Sequence, residues 1–336
     1  MKIIVTGGHG FIGLHLIKKL VNNKNNKILN IDCGSYCSMP EALDNIKKNS
    51  NYSFKNINIV NYNKLKNVIF NFNPDIIFHL AAESHVDNSI KNPDNFINSN
   101  IIGTYNMLNS SLSIFKKNKK FKFIHVSTDE VYGSLKAKNE KSFTEYSKFY
   151  PNSPYSASKA SSDLLVRAWN KTYNLPTITT NCVNNFGEWQ FPEKLIPVVI
   201  SCYLKNKRIP VYGNGKNIRE WIYVKDHIKQ LILISQKGKI GETYNIGSGY
   251  EIDNINLIKK ICNYFDKIKH KKNTYNKLIS YVNDRPGHDF RYSLNSTKTK
   301  KTLNLKTKNN FDNNLETTMN WYLQNYVWLL KKKNKK

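Results

Sequence analysis

The sequence predicts an α/β fold: a doubly wound parallel sheet joined to a smaller mixed α/β C-terminal region. Three observations predict it. Short β-rich runs alternate with amphipathic helical patterns up to about residue 185. A glycine-spaced loop stands between the first run and the first helical pattern, where sheets of this kind bind phosphate. Beyond residue 184 the alternation loosens, and Pro192, Pro197, Pro210 and Gly213 to Gly215 punctuate the chain. At 336 residues the chain holds core enough for one large or two moderate domains.

Taken in order, "KIIVTG" (2–7) reads as the first strand and 11–22 as the first helix; "KILNID" (27–32) follows, then a helical pattern over 40–49. "PDIIFHLAA" (74–82) precedes a helix over 93–117, "FKFIHVST" (121–128) precedes one over 154–173, and "TITTNCVNN" (177–185) closes the series. A helical crossover after each strand makes the pairing parallel and covers both faces. Residues 1–183 are therefore assigned to a Rossmann-like cofactor-binding domain that also receives a segment returning near 220–250. Residues 184–330 form mainly the substrate-binding domain, and 331–336 a basic tail.

Composition excludes several classes. Hydrophobic content of 40% and aromatic content of 12% belong to a globular protein. The chain opens on a strand instead of a charged n-region and apolar h-region, and "LIPVVISCYL" (195–204) is far short of a span of ~20 apolar residues. A soluble, cytoplasmic protein without membrane partners is expected. Cys33, Cys37, Cys182, Cys202 and Cys262 are odd in number and complete no metal-ligand pattern, so no metal is expected. The net charge of +28 invites a nucleic-acid reading, but the excess is spread along the chain. Lys, Asn and Ile abound throughout, as AT-rich codons would produce, and no specific nucleic-acid partner is expected. Only Arg167, Arg208, Arg219, Arg285 and Arg291 are arginines, so each marks a place that could need a planar, bidentate donor.

Chemistry concentrates in three stretches. In "VTGGHGFIG" (5–13), Gly7, Gly10 and Gly13 let the backbone turn tightly against a pyrophosphate seated on the helix N-terminus. Asp32 ends the second strand and suits the ribose 2′-hydroxyl of NAD, with no Arg or Lys before Lys47 to accommodate a 2′-phosphate. In "PYSASKA" (154–160), Tyr155 and Lys159 share a helix face, so the ammonium could lower the phenol's pKa and make it a base. The same spacing in Tyr62/Lys66, Tyr203/Lys207 and Tyr212/Lys216 lacks that context and reads as surface. "STDEVYG" (127–133) sets Asp129 beside Glu130 after a strand. Two such acids suit a helix start or a turn, and equally a general acid and base.

Together with "HLAAESHVDNSI" (79–90), "NNFGEWQFPEKLIP" (184–197), "REWIYVKDH" (219–227), "YNIG" (244–247) and "DRPGHDFRY" (284–292), these stretches resemble the extended short-chain dehydrogenase/reductases. Within them they look most like the dTDP-glucose 4,6-dehydratase family, nearly end to end. The resemblance implies NAD as cofactor and dehydration of dTDP-glucose to its 4-keto-6-deoxy product, a lyase step of deoxysugar (rhamnose-type) biosynthesis. It implies Asp129 as acid, Glu130 as base and Thr128 hydrogen-bonding near O4, with Tyr155 and Lys159 serving C4 oxidation. It implies an NAD site of Gly7, Gly10, Phe11, Ile12, Gly13, Asp32, Cys33, Gly34, Ser35, Asn58, Ile59, Leu80, Ala81, Ala82, Ser84, Ser99, Tyr155, Lys159 and Asn185. The nucleotide-sugar site would be Ser84, Thr128, Asn184, Lys194, Leu195, Pro210, Val211, Tyr212, Arg219, Asn254, Asp284, Arg285, Pro286, Gly287 and His288. Arg219 and Arg285 would fork onto diphosphate oxygens, and Arg291 would serve the same segment structurally.

The chain departs from the family at Asn58, where an Asp is usual, at Cys33, where a Lys is usual, and at Glu188, where a Pro is usual. It is also shorter around 135–150. The resemblance further implies a homodimer through helices 101–116 and 155–173, with Leu108, Leu112, Phe115, Leu164, Leu165 and Trp169 as surplus apolar positions. The alternatives are a UDP-glucose 4,6-dehydratase or a 4-epimerase on the same scaffold, or a non-catalytic NAD- or polyanion-binding protein.

Overall fold

A computed structural model describes residues 1–268, 275–305 and 310–333. Its centre is a parallel sheet of seven strands: β1 (Lys2–Thr6), β2 (Lys27–Asp32), β3 (Tyr52–Asn56), β4 (Ile76–His79), β5 (Lys122–Thr128), β6 (Thr177–Cys182) and β10 (Thr243–Ile246). Their order is β10-β6-β5-β4-β1-β2-β3. Successive side chains of a strand face opposite sides, so Ile3 and Val5 join one apolar cluster and Ile4 the other. Helices α2 (Tyr62–Phe72), α5 (Gly103–Lys117) and α6 (Pro154–Tyr173) cover the Ile4 face; α1 (Phe11–Leu20) and α8 (Val224–Lys237) cover the other.

Beyond β6 the chain builds a smaller region. β7 (Asn184–Phe186) pairs parallel with β9 (Ile218–Tyr223), which pairs antiparallel with β11 (Glu251–Asp253); β8 (Ile209–Tyr212) pairs parallel with β12 (Ile279–Val282). Around them lie α7 (Leu195–Leu204), α9 (Asn254–Ile268), α10 (Tyr275–Leu278), α11 (Thr297–Leu303), α12 (Phe311–Gln324) and α13 (Tyr326–Lys333). One continuous apolar cluster runs from Ile3 and Val5 to Leu315 and Leu329, so the two regions share a core. Of the basic tail, residues 334–336 lie outside the described residues.

Two readings need correction. The helix expected over 40–49 is a single 3-10 turn, Pro40–Leu43, followed by further turns. Its hydrogen bonds run mainly from i to i+3: Ala42 N to Met39 O, Asp44 N to Glu41 O, Ile46 N to Leu43 O. The buried Met39, Ala42, Leu43 and Ile46 imitate helical spacing while the backbone winds tighter. Conversely β3 and α2 were not expected. β3 is an edge strand whose residues are mostly exposed, and α2 buries only Leu65 and Ile69, so neither presents a long apolar run.

The helix expected over 93–117 is interrupted. Short α4 (Asp94–Phe96) passes through a π turn, Ile97–Ile102, before α5 begins. The turn aims the buried Asn100 inward, where Oδ1 accepts from Glu83 N (2.8 Å) and Nδ2 donates to Glu83 O (3.0 Å) and Ser158 Oγ (2.8 Å). That one side chain ties the loop after β4 to α6.

Candidate active site

Parallel strands place their C-terminal ends on one edge, and the strand order turns around β1, where such sheets bind ligands. Emerging there are the glycine loop after β1, Leu80 to Ala82 after β4, Thr128 to Glu130 after β5, and Asn184 and Asn185 beyond β6.

At the β1 end, Gly7 has φ +70° and a Cβ there would lie 2.8 Å from Ala81 N and Cα. Only glycine fits. A Cβ on Gly13 would meet Gly7 O at 2.2 Å, so the loop closes directly onto α1. Gly10 caps α1 without a side chain and the first turn carries no acid, which leaves the positive helix end open to an anion. The Asp32 carboxylate is held by His9 N (2.9 Å), Gly34 N (2.8 Å) and Ser38 Oγ (3.2 Å). His9 and Ser38 were not foreseen: His9 donates through its main chain, which gives no signal in sequence, and the Ser38 hydroxyl is brought to Asp32 only by the turn after β2. These features fit a dinucleotide.

Cys33 and Gly34 are exposed and Ser35 lies beside Cys37. Asn58 is exposed with Oδ1 accepting from Val60 N (3.0 Å), while the Ile59 side chain is core, packed where Gly103 has no Cβ. Ile59 can offer a ligand only its backbone. Ser99 sits in the π turn, and Asn185 Oδ1 meets His227 Nδ1 at 2.8 Å.

β5 ends in a 3-10 turn, Asp129–Tyr132, capped by Thr128, whose Oγ1 accepts from Glu130 N (3.3 Å) and donates to Asp129 Oδ1 (3.1 Å). The turn is four residues long, and Asp129 is buried with Oδ2 lacking any hydrogen-bond partner among the described residues. A helix start does not require that. Burial, then the charges of Glu130 and Glu220, push Asp129 well above the usual carboxylate range. Burial also raises Glu130, but Arg285, Arg219 and Lys194 oppose the rise. Both adjacent acids are thus raised, Asp129 the further, because carboxylates add to its burial while three cations oppose that of Glu130.

α6 begins with a Ser153–Ser156 capping box and Pro154, which fixes Tyr155 in its first turn. Tyr155 and Lys159 are both buried. The expected effect of Lys159 on the phenol needs correction: Lys159 Nζ donates to Val126 O (2.9 Å), and burial with the Glu130 charge raises Tyr155 well above its ordinary value. Beneath them Asp163 accepts from Asn181 Nδ2 (3.2 Å), which also donates to Thr128 O (3.1 Å), and lies 3.0 Å from His125 Nε2. Asp163 is one turn beyond Lys159 and sequence reading passed it over.

The substrate-side residues gather around Glu130 only in part. Lys194 precedes α7 and donates to Ser84 O (2.9 Å), with Leu195 beginning that helix. Arg219 is buried over the Tyr292 ring (4.3 Å), and its Nη atoms donate to the carbonyls of Ile218 (2.8 Å), Phe290 (3.2 Å) and Asp289 (2.9 Å). Most of its fork is therefore used, and it serves as a fixed positive charge more than a free clamp. Arg285 keeps more freedom, with Nε unpartnered among the described residues and Nη1 3.6 Å from Asp87 Oδ1. Asp284 holds His288, and Gly287 (φ +65°) lets Pro286 and its neighbours pass Asn152 O. Tyr212 bonds Asp87 Oδ2 (3.1 Å) and Asn254 Oδ1 is buried without a partner among the described residues, whereas Val211 beside Pro210 is core, with only its backbone available to a ligand. Arg291 is structural, gripping Glu251 through Nε (2.6 Å) and Nη2 (2.9 Å).

Fold and site define a nicotinamide-dependent short-chain dehydrogenase/reductase with two adjacent carboxyls at the end of β5. The family model described as GDP-mannose 4,6 dehydratase matches residues 4–318. The chain belongs to the nucleotide-sugar 4,6-dehydratases and stands among the relatives named dTDP-glucose 4,6-dehydratase. One, from Shigella flexneri, is 45% identical over 98% of this chain and 94% of its own. The structure of DesIV, a dTDP-glucose 4,6-dehydratase from Streptomyces venezuelae with NAD bound, has a TM-score of 0.89 at 35% identity, covering 98% of each chain. The dTDP-glucose 4,6-dehydratase of Bacillus anthracis in complex with NAD has a TM-score of 0.86 at 38% identity, covering 99% of each chain.

Proposed function

We propose that this chain catalyses the NAD-dependent dehydration of dTDP-glucose to dTDP-4-keto-6-deoxyglucose, and that Thr128, Asp129, Glu130, Tyr155 and Lys159 carry it. The observation that bears most weight is the adjacent acid pair, with Asp129 buried, its Oδ2 without a partner among the described residues, and raised further than Glu130. Water leaves across C5 and C6 only if C5–H is acidic, which requires a ketone at C4. NAD, when bound, supplies the oxidant for C4 and later the reductant for C6. Tyr155 accepts the O4 proton as the phenolate, formed against the rise that burial and Glu130 impose, with Thr128 hydrogen-bonding beside it. Glu130, kept ionisable by three cations, takes the C5 proton. Asp129, kept protonated by burial and two carboxylate neighbours, gives its proton to O6 so that water departs.

The remaining site residues follow from the same placement. The Gly7–Gly13 loop and Asp32 would hold the dinucleotide, while Lys194, Arg219 and Arg285 would set a positive field for the substrate diphosphate. One feature supports a homodimer: Ile102 (42% exposed), Tyr105 (42%) and Leu164 (56%), on the end of the π turn, α5 and α6, are exposed apolar side chains. Leu108, by contrast, is fully buried within the monomer and is not among them. All five cysteines are free, and among the described residues no helix is long and apolar enough to cross a membrane; both suit work in the cytoplasm.

Incubation of the protein with dTDP-glucose and, separately, UDP-glucose tests the reading. A 4-keto product formed much faster from the thymidine nucleotide supports it; preference for the uridine nucleotide, or epimerisation without loss of water, rejects it.

A further inference from the structure

We infer that the C-terminal helix α13 clasps the cofactor end of the site, with Trp328 and Lys332 as positioning residues for NAD. The inference rests on the proposed NAD site. Trp328 Nε1 donates to Glu41 Oε1 (2.8 Å), and Lys332 Nζ meets the same oxygen at 2.8 Å and Ser38 O at 3.3 Å. Ser38 Oγ in turn donates to Asp32 Oδ1 (3.2 Å), and Met39 N donates to His9 O (2.8 Å) while His9 N holds Asp32 Oδ2 (2.9 Å). Two residues nearly three hundred positions downstream thus fix the turn that cradles the Asp32 carboxylate.

The same indole reaches a second segment. Trp328 packs edge-on against Trp189 (5.2 Å between ring centroids), which also packs on Trp321 (4.9 Å). Trp189 has φ +66°, a conformation that a bulky residue holds only when its surroundings enforce it. Gln190, next in the chain, donates to Asn185 O (2.8 Å), and Asn185 belongs to the proposed NAD site. One helix therefore braces the site from two sides. The Glu41 and Ser38 contacts cross about 290 residues of sequence, so loop closure between them is established by folding and not by local chain stiffness.

The test uses full-length protein stripped of cofactor, with NAD binding followed by calorimetry. Lys332→Met and Trp328→Phe should each weaken NAD binding about three- to tenfold, the range for one or two lost hydrogen bonds. Lys332→Arg, which keeps donors for both acceptors, should restore it, and turnover at saturating NAD should match the parent. Should Lys332→Met fold poorly, Glu41→Gln, which keeps the Trp328 acceptor but removes the ion pair, should show the same direction. If the parent binds NAD and all these variants bind it equally well, the clasp is overturned while the proposed function stands. A parent that binds no NAD overturns both. A fall only in the melting temperature of the cofactor-free variants, without a change in NAD affinity, would mark α13 as mere structure and reject the inference.

Discussion

In the proposed mechanism, replacing Glu130 by Gln removes the C5 base and leaves C4 oxidation intact, and replacing Asp129 by Asn removes the acid for O6. Each should slow dehydration by roughly 10²–10⁴-fold. In single turnover both variants should accumulate reduced cofactor, seen by its absorbance at about 340 nm, whereas Tyr155→Phe should not. The proposed mechanism requires Glu130 ionised and Asp129 protonated. Rate therefore falls on the acid side as Glu130 gains a proton and on the alkaline side as Asp129 loses one, and Asp129→Asn should flatten the alkaline limb. Stability carries the opposite sign for that variant. The folded chain binds the Asp129 proton more tightly than the unfolded chain, so its stabilising contribution is present at low pH and lost as pH rises through the raised value. Urea unfolding at alkaline pH should find Asp129→Asn more stable than the parent. The acid pair was legible because adjacent carboxylates after a strand are rare in so basic a chain. The fields that separate them were not, because Glu220, Arg219, Arg285 and Lys194 come from distant segments.

At the scale of elements, the π turn is the feature no apolar pattern reveals, since Ile97–Ile102 reads as ordinary helix. Its purpose is visible only in Asn100. Asn100→Ala should cost about 1–3 kcal/mol in urea unfolding, because it leaves Glu83 N and O without partners in a closely packed corner. It should also weaken NAD binding, since the loop it holds follows Leu80 to Ala82. The strands of the central sheet were readable from buried β-branched runs, and the first helix from its glycine entry. The smaller region was less so: β8 pairs with β12 across nearly seventy residues, and only the fold specifies that partner.

The whole molecule presents exposed apolar side chains on α5 and α6, the helices that cover the sheet face opposite α1. Leu164→Glu should convert a dimer into a 39.0 kDa monomer by light scattering at micromolar concentration, with the fold intact by circular dichroism. A parent that is already monomeric would reject the dimer. The central claim concerns the complete reaction, and the mass of the product formed from dTDP-glucose in deuterium oxide tests it most directly. A base at C5 that exchanges its proton with solvent, acting with an acid at O6, predicts a product lighter by one water and carrying one solvent-derived deuterium at C5. A product of unchanged mass, or one that has lost water with no deuterium at C5, would contradict the account.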